Sequence, residues 1–206
     1  MKKRILSIIC ITVAALLMLA SFSGCGKKGD SDIKLPKGMA LARSEIAGCY
    51  FFYPETVWIL GENGGYINIV KASRTNDNSS VTVNSWEEKT NISAAEYWNG
   101  IEAEKVEGFS DKVSEDFGGY EKTLTGLVQD YKAIEKKERK VNGHDGYSVL
   151  YTCNIAGKDF KILQITVAVK KTSATELFEI TYTSTPELYD ENIDAVNTMI
   201  ESFVVE

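Results

Sequence analysis

A single histidine, His144, is the chain's whole supply of imidazole, which removes every metal centre built on several histidine ligands. Paired with Asp145 it offers at most half of a hydrolytic triad. The run Asn142-Gly143-His144-Asp145-Gly146 reads instead as a turn, where such residues serve the backbone. No Gly-X-Ser-X-Gly, phosphate loop or dinucleotide fingerprint occurs. No Asp-X-Asp-X-Asp-Gly loop accompanies the acidic groups at Glu87-Glu88 or between Glu102 and Asp116, which read as solvated faces and not as a calcium site. No catalytic residue, metal ligand or cofactor is therefore assigned. Cations are outnumbered by anions, at a formal charge of −6, which argues against nucleic acid as a partner. After residue 20 there is no apolar stretch long enough to span a bilayer.

What is present begins at the N-terminus. Lys2, Lys3 and Arg4 precede an apolar run from Ile5 to Ala20, and Ser21-Phe22-Ser23-Gly24 lead into Cys25. This basic, apolar, small-residue order is that of a secretory signal. Phe22-Ser23-Gly24-Cys25 resembles a bacterial lipobox, with Phe22 where leucine is usual. The resemblance implies cleavage before Cys25 and lipid on its thiol. Two acyl chains hold where one is marginal, since each buried methylene contributes about 0.8 kcal/mol. The alternatives are an uncleaved membrane anchor or ordinary secretion. Removal of residues 1–24 takes three cations and no anion, moving the charge from −6 to −9. The expected organisation is a signal peptide at 1–24, a lipidated cysteine with a flexible tether at 25–45, and one globular domain at 46–206, on the extracytoplasmic face of the cell membrane.

Cys49 and Cys153 lie in the body. An exported chain can join them in a disulfide; the alternative is two buried thiols acting as small hydrophobes.

The body reads as strands interrupted by helices. Cys49 to Tyr53 is an aromatic run closed by Pro54. Alternation marks strands over Tyr66–Lys71, Val81–Trp86 and Tyr147–Ile155, with Leu163, Ile165, Val167 and Val169 on one inward face and Phe178, Ile180 and Tyr182 on the next. The charged Lys136–Lys140 segment suits a sheet edge, where charge discourages aggregation. Ser93 and Glu96 form a capping box that opens a helix running to about Glu107. Thr185 and Pro186 open another, with Tyr189, Ile193, Val196, Ile200 and Phe203 on one face.

This order, with Tyr53-Pro54-Glu55 after an aromatic strand, Thr181 to Ser184 leading into the last helix, and Ser202-Phe203 after it, resembles the PsbP-like domain over residues 46–206. The resemblance implies an α+β fold, an antiparallel sheet flanked by helices in an α/β/α sandwich, and a docking or assembly role without a shared active site. Trp58, Trp86 and Trp98 are candidate ligand or partner contacts, with His144; their alternative is core packing. Two functions remain open. One is a non-enzymatic binding or accessory module working through a protein partner. The other is a small-ligand receptor or cryptic hydrolase, marked by a pocket with converging polar groups.

Overall fold

The computed structural model describes residues 33–61, 67–72, 77, 79–99 and 128–206. The expected lipid attachment at Cys25, the signal peptide, and the helix beyond residue 99 lie outside the described residues. The described strands form two antiparallel sheets. The smaller has the order β1 (Met39–Ser44), β2 (Cys49–Pro54), β10 (Val204–Val205). The larger has seven strands, ordered β3 (Trp58–Gly61), β4 (Ile67–Lys71), β5 (Ser80–Glu88), β9 (Thr175–Ser184), β8 (Lys158–Lys170), β7 (His144–Ile155), β6 (Val128–Val141). Residues 94–99 are helical, α1, and Pro186–Glu201 form α2.

The first face of the large sheet carries the residues that alternation marks as inward. Val81, Val83, Ile165, Val167, Phe178, Ile180 and Tyr182 are buried there against Val196, Met199 and Ile200 of α2 and Phe51 of the small sheet. Burying such side chains is worth about 1.5–3 kcal/mol each. Thr185 precedes α2 in an extended conformation, as expected of an N-cap, but its side chain makes no capping bond; its carbonyl accepts from the amides of Leu188 and Tyr189. At the other end the Ser202 hydroxyl donates to the Met199 carbonyl (2.8 Å) and accepts from the Phe52 amide (2.9 Å), fixing the helix to β2.

A polar network ties the same face together. Lys71 Nζ donates to Asn192 Oδ1 (2.5 Å) and pairs with Asp77 (3.1 Å), Asn192 donates to Ser79 Oγ (3.2 Å), and the Ser79 and Ser184 hydroxyls share a bond (2.8 Å). Buried polar groups are stable when satisfied in this way.

Several expectations are corrected. The tether does not reach residue 45: Met39–Ser44 pair with the whole of β2, because Ala40 and Ala42 are small enough to face the core opposite Tyr53 and Phe51. The expected turn around His144 is tighter. Asn142 and Gly143, with φ of 45° and 85°, make a two-residue hairpin that matches the strand twist, and His144 already pairs with Val141. No disulfide joins Cys49 and Cys153. Cys49 lies in the core cluster under the small sheet and Cys153 in a second cluster with Phe160 and Ile162. Helical cover on both sides of the sheet holds in part. One face has α2 beside the small sheet; the other has α1 among the described residues, so the described molecule is mainly β. The basic segment 136–140 does lie on an edge strand, β6.

Candidate functional site

Strand neighbours directly opposite each other point to the same side of a sheet. That rule places Asn68, Thr82, Thr181 and Gln164 in one row across β4, β5, β9 and β8. Asn84, Glu179 and Thr166 make the next row, and Ser80 and Thr183 flank it on the other side. All belong to the second face of the large sheet, opposite α2. In the sequence these are the positions between the inward hydrophobes, where solvent is the ordinary expectation. Apart from half-buried Asn84 they are buried instead: Gln164, Glu179 and Ser80 are each 1% exposed and Thr166 is 0% exposed.

The face is bordered by aromatic and apolar groups. Trp86, Leu177 and Ala168 form the row beyond Asn84-Glu179-Thr166, and Ile162 and Tyr151 lie next to Ser80-Thr183. The capping box sets α1 here. The Ser93 amide and hydroxyl both donate to Glu96 Oε2 (2.8 and 2.7 Å), and the Glu96 amide donates to Ser93 Oγ (3.2 Å). Those bonds hold the Glu96 carboxyl below its ordinary pKa. From that start Tyr97 reaches Trp86 (ring centroids 5.4 Å apart) and Trp98 reaches Tyr151 (6.2 Å).

The hydrogen bonding of this face differs from that of the first. Among the described residues, Asn68 Oδ1, Ser80 Oγ, Thr82 Oγ1, Asn84 Nδ2, Trp86 Nε1, Gln164 Nε2, Thr166 Oγ1 and Thr181 Oγ1 are buried with no hydrogen-bond partner. Gln164 is anchored at its other amide atom, Oε1, which accepts from the Tyr151 hydroxyl (3.1 Å). That bond fixes the amide so that Nε2 is left to donate. Burial comes first in raising the Tyr151 phenol well above its ordinary pKa, with Cys153 and Glu179 adding to the effect, so Tyr151 stays a donor. Native proteins leave few buried polar atoms unsatisfied, and each costs about 1–3 kcal/mol. Eight such atoms lie on this one sheet face.

The sequence-derived candidates divide. Trp86 and Trp98 stand on this face. Trp58 does not: it is buried in the first-face core with Tyr53 and Ile69. His144 sits at the β6–β7 hairpin, and its neighbour Asp145 is bonded by Lys140, which lowers the Asp145 pKa. Among the described residues no three His, Cys, Asp or Glu side chains gather as metal ligands. The polar rows themselves went unread. The available signal was that three neighbouring strands each carry Ser, Asn, Gln, Glu or Thr at every second position, in the runs 80–84, 164–166 and 179–183.

No family model and no curated protein matches the sequence. Solved structures do resemble the fold. LpqN of Mycobacterium tuberculosis, involved in cell envelope biogenesis, is 16% identical with a TM-score of 0.50, over 76% of this chain and 82% of its own. The cyanobacterial PsbP of Synechocystis is 14% identical with a TM-score of 0.52, over 89% and 98%. The Ran-binding protein Mog1p of Saccharomyces cerevisiae is 10% identical with a TM-score of 0.50, over 81% and 95%. At such identities the likeness establishes the fold: the chain has a PsbP-like architecture of antiparallel sheets.

Proposed function

We propose that this chain is a lipid-anchored binding protein on the extracytoplasmic face of the cell membrane, not an enzyme, and that it holds a small polar ligand on the second face of its large sheet. One observation carries the binding reading: eight partnerless polar atoms gathered on four adjacent strands. Of the two functions left open by the sequence, it favours the ligand receptor. The anchor rests on the order of residues 2–25 and on the thiol of Cys25. The envelope role of LpqN fits the same setting.

A thermal-shift screen of the full chain, in a zwitterionic detergent free of sugar, tests the binding reading. A ligand at 100 times its Kd adds about 2.7 kcal/mol, which moves Tm by roughly 5–10 °C in a domain of this size. Sugars, peptides, nucleosides and amines make up the panel. Stabilisation by none of them overturns the reading. The anchor has its own test: Cys25→Ala should abolish acyl labelling in the native host and leave the precursor uncleaved, and unchanged labelling would remove the anchor from the account.

A second reading, docking to a protein partner, is favoured by the outer side of the small sheet. Leu41, Tyr50, Phe52 and Val204 share that side, half-buried, with the Tyr50 and Phe52 rings 5.9 Å apart. Crosslinking on intact cells with identification of neighbours distinguishes it, since a ligand receptor alone captures no specific protein through Tyr50 or Phe52.

A further inference from the structure

The outer side of the small sheet lies where the tether joins the body. We infer that this side seats on the headgroup boundary of the bilayer that carries the acyl chains of Cys25, a reading that rests on the lipid anchor proposed above. Strand neighbours directly opposite each other share a side. Leu41 with Phe52, and Arg43 with Tyr50 and Val204, therefore point away from the core, while Ala42, Cys49, Phe51 and Tyr53 point into it. The outward Tyr50 and Phe52 rings stand beside each other, with centroids 5.9 Å apart.

The path of the chain selects the bilayer. β1 is an edge strand of this sheet, and its start is fixed by a turn in which the Met39 amide donates to the Pro36 carbonyl (3.1 Å). Gly38 sits in that turn at φ 77°, which glycine adopts without the strain a side chain would add. Residues 26–35 are all that separates Cys25 from the turn, and a segment of that length spans at most about 36 Å even when fully extended. A lipid on Cys25 keeps the bilayer within that distance of the edge of this sheet. Tethering also makes the contact intramolecular, so a face of modest affinity stays engaged. A protein partner has no such reason to be held at β1.

The residue types suit a boundary between water and lipid. Tyrosine joins an apolar ring to a polar tip, the combination enriched at membrane interfaces, and Leu41, Phe52 and Val204 add apolar surface around Tyr50. Leu35, just before the turn, and Ile46, between β1 and β2, are 51% and 81% exposed. The charges of Arg43 and Glu206 cancel on this side: Arg43 Nε and Nη2 each donate to the Glu206 carboxylate at 2.8 Å. The pair can therefore approach headgroups without leaving either charge uncompensated. Ile134 supplies the contrast. It is 53% exposed on the edge strand β6, but Lys132, Glu135 and Lys136 flank it in sequence.

The test uses the full chain purified from its native host, with the mass of the lipid on Cys25 read first. The protein is reconstituted into vesicles of phosphatidylethanolamine and phosphatidylglycerol with brominated acyl chains, which quench nearby tryptophan. Tyr50→Trp, Phe52→Trp and Ile134→Trp are compared with wild type for the emission each new indole adds, after circular dichroism confirms the fold. The expected result is loss of most of the added emission at positions 50 and 52 and its retention at 134. A hydrophobic diazirine dissolved in the bilayer reads wild type directly: it should label peptides covering residues 39–54 and 202–206 and spare 128–141. Where the variants do not fold, that labelling pattern decides alone. Acylated protein that shows neither quenching at 50 and 52 nor this labelling overturns the membrane face and leaves the anchor standing. Equal quenching at all three positions, or labelling spread over all these peptides, overturns it as well, since no one side then meets the lipid. A specific protein crosslinked through position 52 on intact cells, in place of lipid, gives the face to a protein partner and overturns the inference. Protein with no acyl mass overturns the anchor and the membrane face together.

Discussion

Thr181→Val should raise the stability of this protein. Thr181 lies at the centre of the second face, opposite Thr82 on one side and Gln164 on the other, 5% exposed and with no partner for its hydroxyl. A buried hydroxyl without a bond forfeits the water it left behind, at a cost of about 1–3 kcal/mol. Valine keeps the branched shape and replaces the hydroxyl with a methyl, whose burial is worth about 0.8 kcal/mol. Allowing for imperfect fit, the net gain is roughly 1–2 kcal/mol, or about 2–8 °C in Tm. Urea unfolding followed by circular dichroism reads it as a higher midpoint at unchanged slope. In an ordinary buried site, where the threonine hydroxyl is bonded, the same change costs about 1 kcal/mol. A fall of that size would refute the reasoning, because it would mean that Thr181 has a bonding partner within the fold and that the polar rows are structural. The predicted stabilisation with loss of binding is the usual relation between stability and a site kept for function.

Three further outcomes follow from the first face and the small sheet. Val196→Asp buries an unpaired carboxylate under the sheet at a position with no exposed surface, and should cost several kcal/mol, detected as loss of the cooperative urea transition or release of α2. Burial pushes Asp77 upward, but the hydroxyl and amide of Ser79 and the Lys71 ammonium outweigh it and hold its carboxyl below the ordinary value. The ionised form therefore favours the folded state; its contribution is complete above the unfolded pKa of about 4 and is lost as pH falls through the lower folded value. Asp77→Asn should flatten that acid limb in a pH series of urea midpoints. Burial first, then the charges of Glu206 and Glu176, push the Cys49 thiol up to about 12. Cys49 should resist iodoacetamide at pH 8 in the native state and react in denaturant, as followed by peptide mass mapping; native labelling would contradict its place in the core.

The order of strands and the last helix were legible because alternation and helical spacing report burial on one face, and the first face is apolar along most of β5, β8 and β9. The edge strand β6 was legible from its lysines, and α1 from Ser93 and Glu96. What alternation hid was the second face. It separates residues into two sets but does not say that both are buried, so Thr82, Gln164, Thr166 and Thr181 looked like solvated positions. Trp58 and Trp86 look alike in sequence, yet only strand register separates the first-face core from the second-face border, which Trp98 reaches from α1. Short strands escaped for a different reason. β10 has two residues and β3 has four, too few to show a period. β1 is Met-Ala-Leu-Ala-Arg-Ser, whose alanines have little strand preference and pair because Phe51 and Tyr53 of β2 fill the space opposite them.

The direct measurement is a high-resolution crystal structure of the protein purified from its native host without sugar-based detergent. The account predicts density for a bound solute within hydrogen-bonding distance of Asn68, Thr82, Gln164 and Thr181. A structure in which those four side chains bond to other parts of the chain, with no solute among them, would contradict it.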